Sequence, residues 1–194
     1  MRASSGRSLP FPAAPHLRTA LLGDVSYFDV TSYPAIRWRQ LSAFAPQILA
    51  GMTQDLQTFA DGVFRGMWNV PSLDTAVFNL TGVGDHPLTS PQRDKLWRAF
   101  RVPVYEVLFD EHAGLLASEC EAHEGWHIRH TQLRFDMQNG AILFRKNGVF
   151  ASPLITGLTA VGLDGVCACG DEAPLLRGVR RCHSKPLRVQ AVGA

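Results

Sequence analysis

No part of this 194-residue chain is apolar for long enough to cross a bilayer, which takes about 18 to 20 consecutive apolar residues. Charge of one sign is scarce too. Nineteen Lys and Arg face 17 Asp and Glu, leaving a net charge of +2. That balance gives no broad attraction to nucleic acid or to an anionic membrane surface. The first 23 residues hold three arginines and no acidic residue, a composition like a transit peptide's, but no apolar core of a secretory signal. The expected compartment is therefore the reducing cytoplasm, where the four cysteines would be thiols or metal ligands sooner than disulfides. Internal repeats and an HExxH-type metalloprotease helix are also missing.

What is present suits a folded chain with its own core: 46% of residues are hydrophobic and 19% charged. Residues 1–23 read as a disordered, Pro/Ser-rich tail. In "AIRWRQLSAFAPQILAG" the spacing of Ile36, Leu41, Phe44, Ile48 and Leu49 predicts helix, with Pro46 starting a second helix or a turn. "TQDLQTFADGVFRGM" carries a helical stripe of Leu56, Phe59, Val63 and Met67, expected to be core. "TAVFNLTGVGDHPL" reads as a strand entering a Gly-rich turn. The helix after it has Ser90 as N-cap, Pro91 at its first position, and Leu96 and Phe100 facing inward. The apolar "VPVYEVLF" then completes a strand–helix–strand unit, so an α/β fold with a parallel pair is expected over residues 24–111. From residue 112 the pattern changes to "LLASECEA", "WHIRHTQLRFDM" and "GAILFRKN", consecutive strands on short connections that favour antiparallel pairing. The span 112–176 is thus a β-rich segment, and 177–194 a basic tail.

The densest chemistry lies in "SECEAHEGWHIRH", residues 118–130. If residues 122–125 are the turn of a hairpin, Cys120 lies opposite His127, and opposed Cβ atoms are about 5 Å apart. Cys167 and Cys169 are spaced to share one face of an extended segment, with Gly165 and Gly170 beside them. Three thiolates and an imidazole make a closed tetrahedral zinc set. His123 or His130 could replace His127, and Cys182 or His183 could supply a ligand instead. Buried unliganded thiols and solvated histidines are the plain alternative.

Four stretches resemble the phenylacetate–CoA ligase branch of the adenylate-forming (acyl-CoA synthetase-like, AMP-binding) superfamily. "FAPQILAGMTQDLQTFAD" is similar to the segment after that family's central strand, and "LTGVGDHPLTSPQRDKLWRAFRVPVYEV" to its "GGEPLS…R…FGVPVY". "ASECEAHEGWHI" resembles "ECEE.DGLHI", and "GVCACGDEAPLLRGVRR" resembles "CPCGRT…RI.GR". The matches run in order over residues 40 to 181. The resemblance implies a partial adenylate-forming fold, with an antiparallel β subdomain stapled by zinc on Cys120, His127, Cys167 and Cys169. It also implies a site for an aryl or acyl small molecule.

The chain departs from that family where ATP and magnesium would bind. The one Gly/Ser-rich candidate for a phosphate loop, "ASSGRS" at 3–8, follows no expected strand. Of the aromatic-Gly-x-Thr-Glu motif, only Glu111 offers a match for the glutamate, as the weak catalytic candidate. Leu158 stands where the family's ribose-binding aspartate would fall, and Lys185 has no motif around it to mark a lid lysine. The expected function is a divergent acyl-CoA ligase-like protein unable to adenylate a carboxylic acid alone, which would either bind an aryl or acyl ligand in a retained pocket or act with a partner chain supplying the missing parts. Three other readings are an atypical but active ligase or acyl transferase, a zinc-dependent nucleic-acid binder and a zinc hydrolase. The nucleic-acid binder would use Arg177, Arg180, Arg181, Lys185 and Arg188; the hydrolase, Asp110, Glu111, His112 and His123.

Overall fold

Pairing in the main sheet changes from parallel to antiparallel at one strand, Val104–Asp110, and the two sides of that strand are held together differently. The computed structural model describes residues 17–24, 30–69, 73–130, 133–138, 141–146, 154–163 and 167–181. The first part runs β1 (Thr19–Leu22), β2 (Thr31–Tyr33), a 3-10 turn (Ala35–Gln40), α1 (Leu41–Phe44), β3 (Ile48–Met52), α2 (Thr53–Phe64), β4 (Ala76–Gly82), α3 (Ser90–Phe100) and β5 (Val104–Asp110). The second runs β6 (Gly114–Glu119), β7 (Trp126–Ile128), β8 (Leu133–Gln138), β9 (Ala141–Lys146), β10 (Leu154–Thr159), β11 (Gly162–Leu163), β12 (Leu175–Arg177) and β13 (Arg180–Arg181). Among these residues, nine strands form one sheet in the order β11-β12-β7-β6-β5-β4-β3-β1-β2, and β13-β10-β9-β8 form a second.

The strands from β2 to β5 pair in parallel, and the expected strand–helix–strand unit is β4-α3-β5. β3 and β4 are buried almost throughout, as parallel strands covered on both faces are. Leu56 and Phe59 of α2 and Leu96 and Phe100 of α3 enter one core with Trp38, Val77 and Val104. From β5 onward the partners are antiparallel: β5 with β6, β6 with β7, β7 with β12 and β12 with β11. Trp126, Leu116 and Leu176 of that half form a second core with Ile142, Phe144 and Leu158 of the small sheet.

The structure corrects several sequence expectations. Strand β1 lies within the stretch read as tail, and its Ala20, Leu21 and Leu22 are fully buried. Residues 1–16 lie outside the described residues. Pro46 follows Ala45, which closes α1 in the left-handed region at φ 48°, and the chain then enters strand β3 instead of a second helix. Ile48 and Leu49 are apolar at helical spacing because β3 is buried on both faces, which makes a continuous run that periodicity alone cannot assign. Ile36 is 91% exposed, and Met67 lies past the end of α2 with half its surface in solvent. The N-cap of α3 is Thr89, one residue before Ser90. Thr89 and Gln92 form a capping box, and Pro91 is at the second helical position. "WHIRHTQLRFDM" divides into β7 and β8, which belong to different sheets. The basic tail begins inside the fold. Arg177 ends β12, while Arg180 and Arg181 form β13 against β10.

Candidate metal centre and adjoining crevice

The side chains of Cys120, His127, Cys167 and Cys169 converge, each offering a ligand atom within 4.8 Å of the others. Cys120 Sγ lies 3.4 Å from Cys167 Sγ, and Cys169 Sγ lies 3.5 Å from His127 Nε2. Tetrahedral zinc with Zn–S bonds of about 2.3 Å sets its sulfurs about 3.8 Å apart, so the spacing suits a single ion. His127 is fully buried, and its Nδ1 lies 3.1 Å from the Ala173 carbonyl. A hydrogen bond from Nδ1–H to that carbonyl leaves Nε2 free to coordinate, an arrangement metal-binding histidines commonly adopt. The residues present therefore fit the ion that the resemblance implies. Bound there, zinc would supply a cross-link between the β6–β7 hairpin and the 167–170 turn, and no open coordination position.

The route to this convergence differs from the expected one. β6 and β7 pair Glu119 with Trp126 and Ser118 with His127, so the hairpin loop is longer than the 122–125 turn and Cys120 sits within it. The loop turns back through a hydrogen bond from the His123 amide to the Cys120 carbonyl, with His123 in the left-handed region at φ 51°. Cys167 and Cys169 are not on an extended strand either. Their segment is a turn closed by the Gly170 amide on the Cys167 carbonyl, with Gly170 at φ 78° where a side chain would be strained. Within it the Cys169 amide donates to the Cys167 sulfur, which draws the Cys167 thiol down to about 7. Burial and the neighbouring Cys167 push the Cys120 thiol up to about 12. Crowded thiols divided in this way share one proton-poor sulfur, and a dication would let all three ionise.

The alternative ligands lie elsewhere. His123 stacks on Tyr105, ring centres 4.9 Å apart, with its Nδ1 3.7 Å from Glu119. The nitrogens of His130 meet the Ala113 carbonyl and the Leu133 amide. Cys182 and His183 lie outside the described residues, as do Lys185 and the "ASSGRS" segment. Glu111 and His112 are exposed in the β5–β6 turn, where Asp110 accepts from the amides of His112 and Ala113. Leu158 is fully buried in the second core. Arg177 pairs with Glu124 at 3.0 Å, and Arg181 donates to His86.

One cluster gave no local signal in the sequence. Glu119 has a side chain only 9% exposed and receives Arg93 at 2.9 Å. Arg93 also reaches Glu106 at 3.2 Å and donates to the Val104 carbonyl. Glu106 is 3% exposed; burial and the nearby Glu119 raise its carboxyl to about 7, against the Leu88 amide, Arg93 and Thr81, which lower it. Thr81 in turn accepts from Asn79, and Asn79 from Thr53. Thr53 opens onto a cavity of about 780 Å³ at the carboxyl ends of β3 and β4, walled by Asp55, Asp85, His86 and Gln92. Open α/β sheets bind ligands at such strand ends.

The fold has solved counterparts. A 2-hydroxyisobutyryl-CoA ligase in complex with 2-HIB-AMP and CoA, in an open conformation, superposes with a TM-score of 0.64 at 12% identity, over 84% of this chain and 45% of that one. The same ligase in its postadenylation state gives 0.66 at 13%, over 87% and 44%. The coronafacic acid ligase of Pectobacterium brasiliense gives 0.57 at 11%, over 88% and 40%. The fold is that of part of an acid–CoA ligase. The chain spans less than half the length of these ligases, and the likeness is one of fold alone. No protein-family model and no curated protein matches the sequence. Among the described residues no helix is long and apolar enough to cross a membrane.

Proposed function

We propose that this protein is a divergent relative of the acyl-CoA ligases that keeps a zinc-clasped β half and does not adenylate a carboxylic acid by itself. The observation that carries this reading is the convergence of Cys120, His127, Cys167 and Cys169 on a fold shared with part of those enzymes. The ion is structural. It ties the β6–β7 hairpin to the 167–170 turn, and the closed donor set leaves no position for a reacting water. The phenylacetate–CoA ligase branch is the nearest assignment on motif grounds, and the crevice at β3 and β4 is where an aryl or acyl ligand would sit. Leu158, with no polar atom in its side chain, occupies the position the resemblance gives to a ribose-binding carboxylate. A partner chain would supply the missing nucleotide-binding parts.

Two measurements test this. Purified protein should contain about one equivalent of zinc per chain, and a zinc-free preparation that folds normally would overturn the clasp. ATP–pyrophosphate exchange with a panel of aryl and fatty acids should be absent for the protein alone. Robust exchange would establish the competing reading, an atypical but active ligase.

A further inference from the structure

The Cys120 loop and the crevice are joined by one run of part-buried polar contacts. Glu119 is the residue immediately before Cys120. Its carboxylate accepts from Arg93 at 2.9 and 3.0 Å and from the Glu106 amide at 2.8 Å. Arg93, on α3, bridges onward to the Glu106 carboxylate. The other oxygen of Glu106 receives the Leu88 amide at 2.7 Å. Leu88 follows Asp85, His86 and Pro87, the loop that walls the crevice, and the capping box of α3 begins at Thr89. Two buried carboxylates thus share one guanidinium, and the backbone of the loop hangs on one of them. Their side chains are 4% and 9% exposed, so solvent cannot replace either partner cheaply.

We infer that Glu119, Arg93 and Glu106 form a positioning relay through which metal occupancy at Cys120 sets the conformation of the 82–89 loop and so the shape of the crevice. This rests on the zinc reading of the preceding section. Fixing Cys120 fixes Glu119 beside it, and Glu119 orients the guanidinium. Arg93 then decides which rotamer of Glu106 is favoured, and Glu106 holds the Leu88 amide. Other charged groups facing the relay are His123, 3.7 Å from Glu119, and Glu124, on the wall of a small cavity of about 220 Å³ shared with Arg93 and Glu106. Coupling of this kind is reciprocal. If the metal orders the loop, loosening the loop end must weaken the hold on the metal by the same factor.

The experiment uses the full-length, zinc-loaded protein at pH 8, where Glu106 is ionised. Zinc release to an excess colorimetric chelator is timed for wild type, Arg93→Met, Glu106→Gln and, as a remote control, the exposed Ile36→Ala. Hydrogen exchange of the 82–89 amides is followed in the same loaded samples. Release from Arg93→Met and Glu106→Gln should be about five-fold faster or more, the lower end of ordinary coupling between sites. Exchange at 82–89 should quicken in both, with Ile36→Ala like wild type. Glu106→Gln keeps the shape of the protonated acid, so it stays informative where Arg93→Met fails to fold. Wild-type release rates in Glu106→Gln overturn the relay while leaving the clasp intact. A wild-type protein that holds no zinc overturns both.

Discussion

The two halves of the main sheet reach order by different means. The parallel half is built from strands of three to seven residues, with two helices of 12 and 11 residues packed on one face. Its core is apolar and aromatic: Phe59 meets Trp38 at 5.2 Å and Phe100 at 6.1 Å. The far antiparallel strands β7, β12 and β11 are only three, three and two residues long. Such strands close few ladder bonds, so their buried residues alone give them a thin margin. Beside its core this half has four convergent cysteine and histidine side chains, the Arg129–Asp171 pair next to them, and the Arg177–Glu124 pair. Where the strands are this short, specific polar ties add to the core.

The largest effect should come from breaking the clasp. Cys167→Ser should cost about 5 kcal/mol or more, because binding energy at such a site is folding energy. The loss should be lopsided. Exchange protection should vanish at 114–128 and 167–177 and persist in α2 and β4. Uniform loss of protection across both halves would show that the sheet unfolds as one unit and that the contrast between them is only architectural.

The converse substitution is Phe59→Ala. It removes a fully buried ring from the stack of Trp38, Trp68 and Phe100, and should cost about 3 to 5 kcal/mol by urea or thermal unfolding. Its zinc content should stay at one equivalent, because none of its ring contacts reaches the antiparallel half. Loss of zinc with this substitution would mean the halves do not fold separately.

How much of this was legible beforehand follows the same division. Leu56, Phe59, Leu96 and Phe100 were placed in the core from spacing, because a helix with one buried stripe writes its period into the sequence. β3 was read as a second helix or a turn, because a strand buried on both faces has no alternation to display. Cys120, His127, Cys167 and Cys169 converge as the sequence led one to expect, although neither the expected register nor the extended Cys167–Cys169 segment is found. Residue type limits what can hold a metal more tightly than backbone shape does. Arg93, Glu106 and Glu119 were missed because their contacts span 13 and 26 residues and no spacing rule joins them.

Glu106 sharpens the comparison where the halves meet. Its carboxyl is raised from an ordinary 4.5 to about 7, so the folded state binds that proton more tightly than the unfolded state. The stabilisation from this proton is complete below pH 4.5 and is lost as the pH rises through about 7. The loss should be on the order of 3 kcal/mol. Glu106→Gln should remove that slope between pH 4.5 and 7 in denaturant titrations. A slope unchanged in the variant would assign it to other groups.

The smallest effect tests whether the parallel half tolerates loss of a purely local tie. Thr89 caps α3 through the Gln92 amide while the Gln92 side chain reaches back to the Thr89 amide, 2.9 Å away. Thr89→Ala removes half of that box and should cost about 1 kcal/mol. Thr89 follows Leu88, so the same change also probes the loop held by Glu106. If the cost is about 1 kcal/mol and zinc release keeps its wild-type rate, the cap acts on helix stability alone. A cost well above this, with faster zinc release, would place the start of α3 within the relay. The boundary between the halves would then run through α3 instead of along β5.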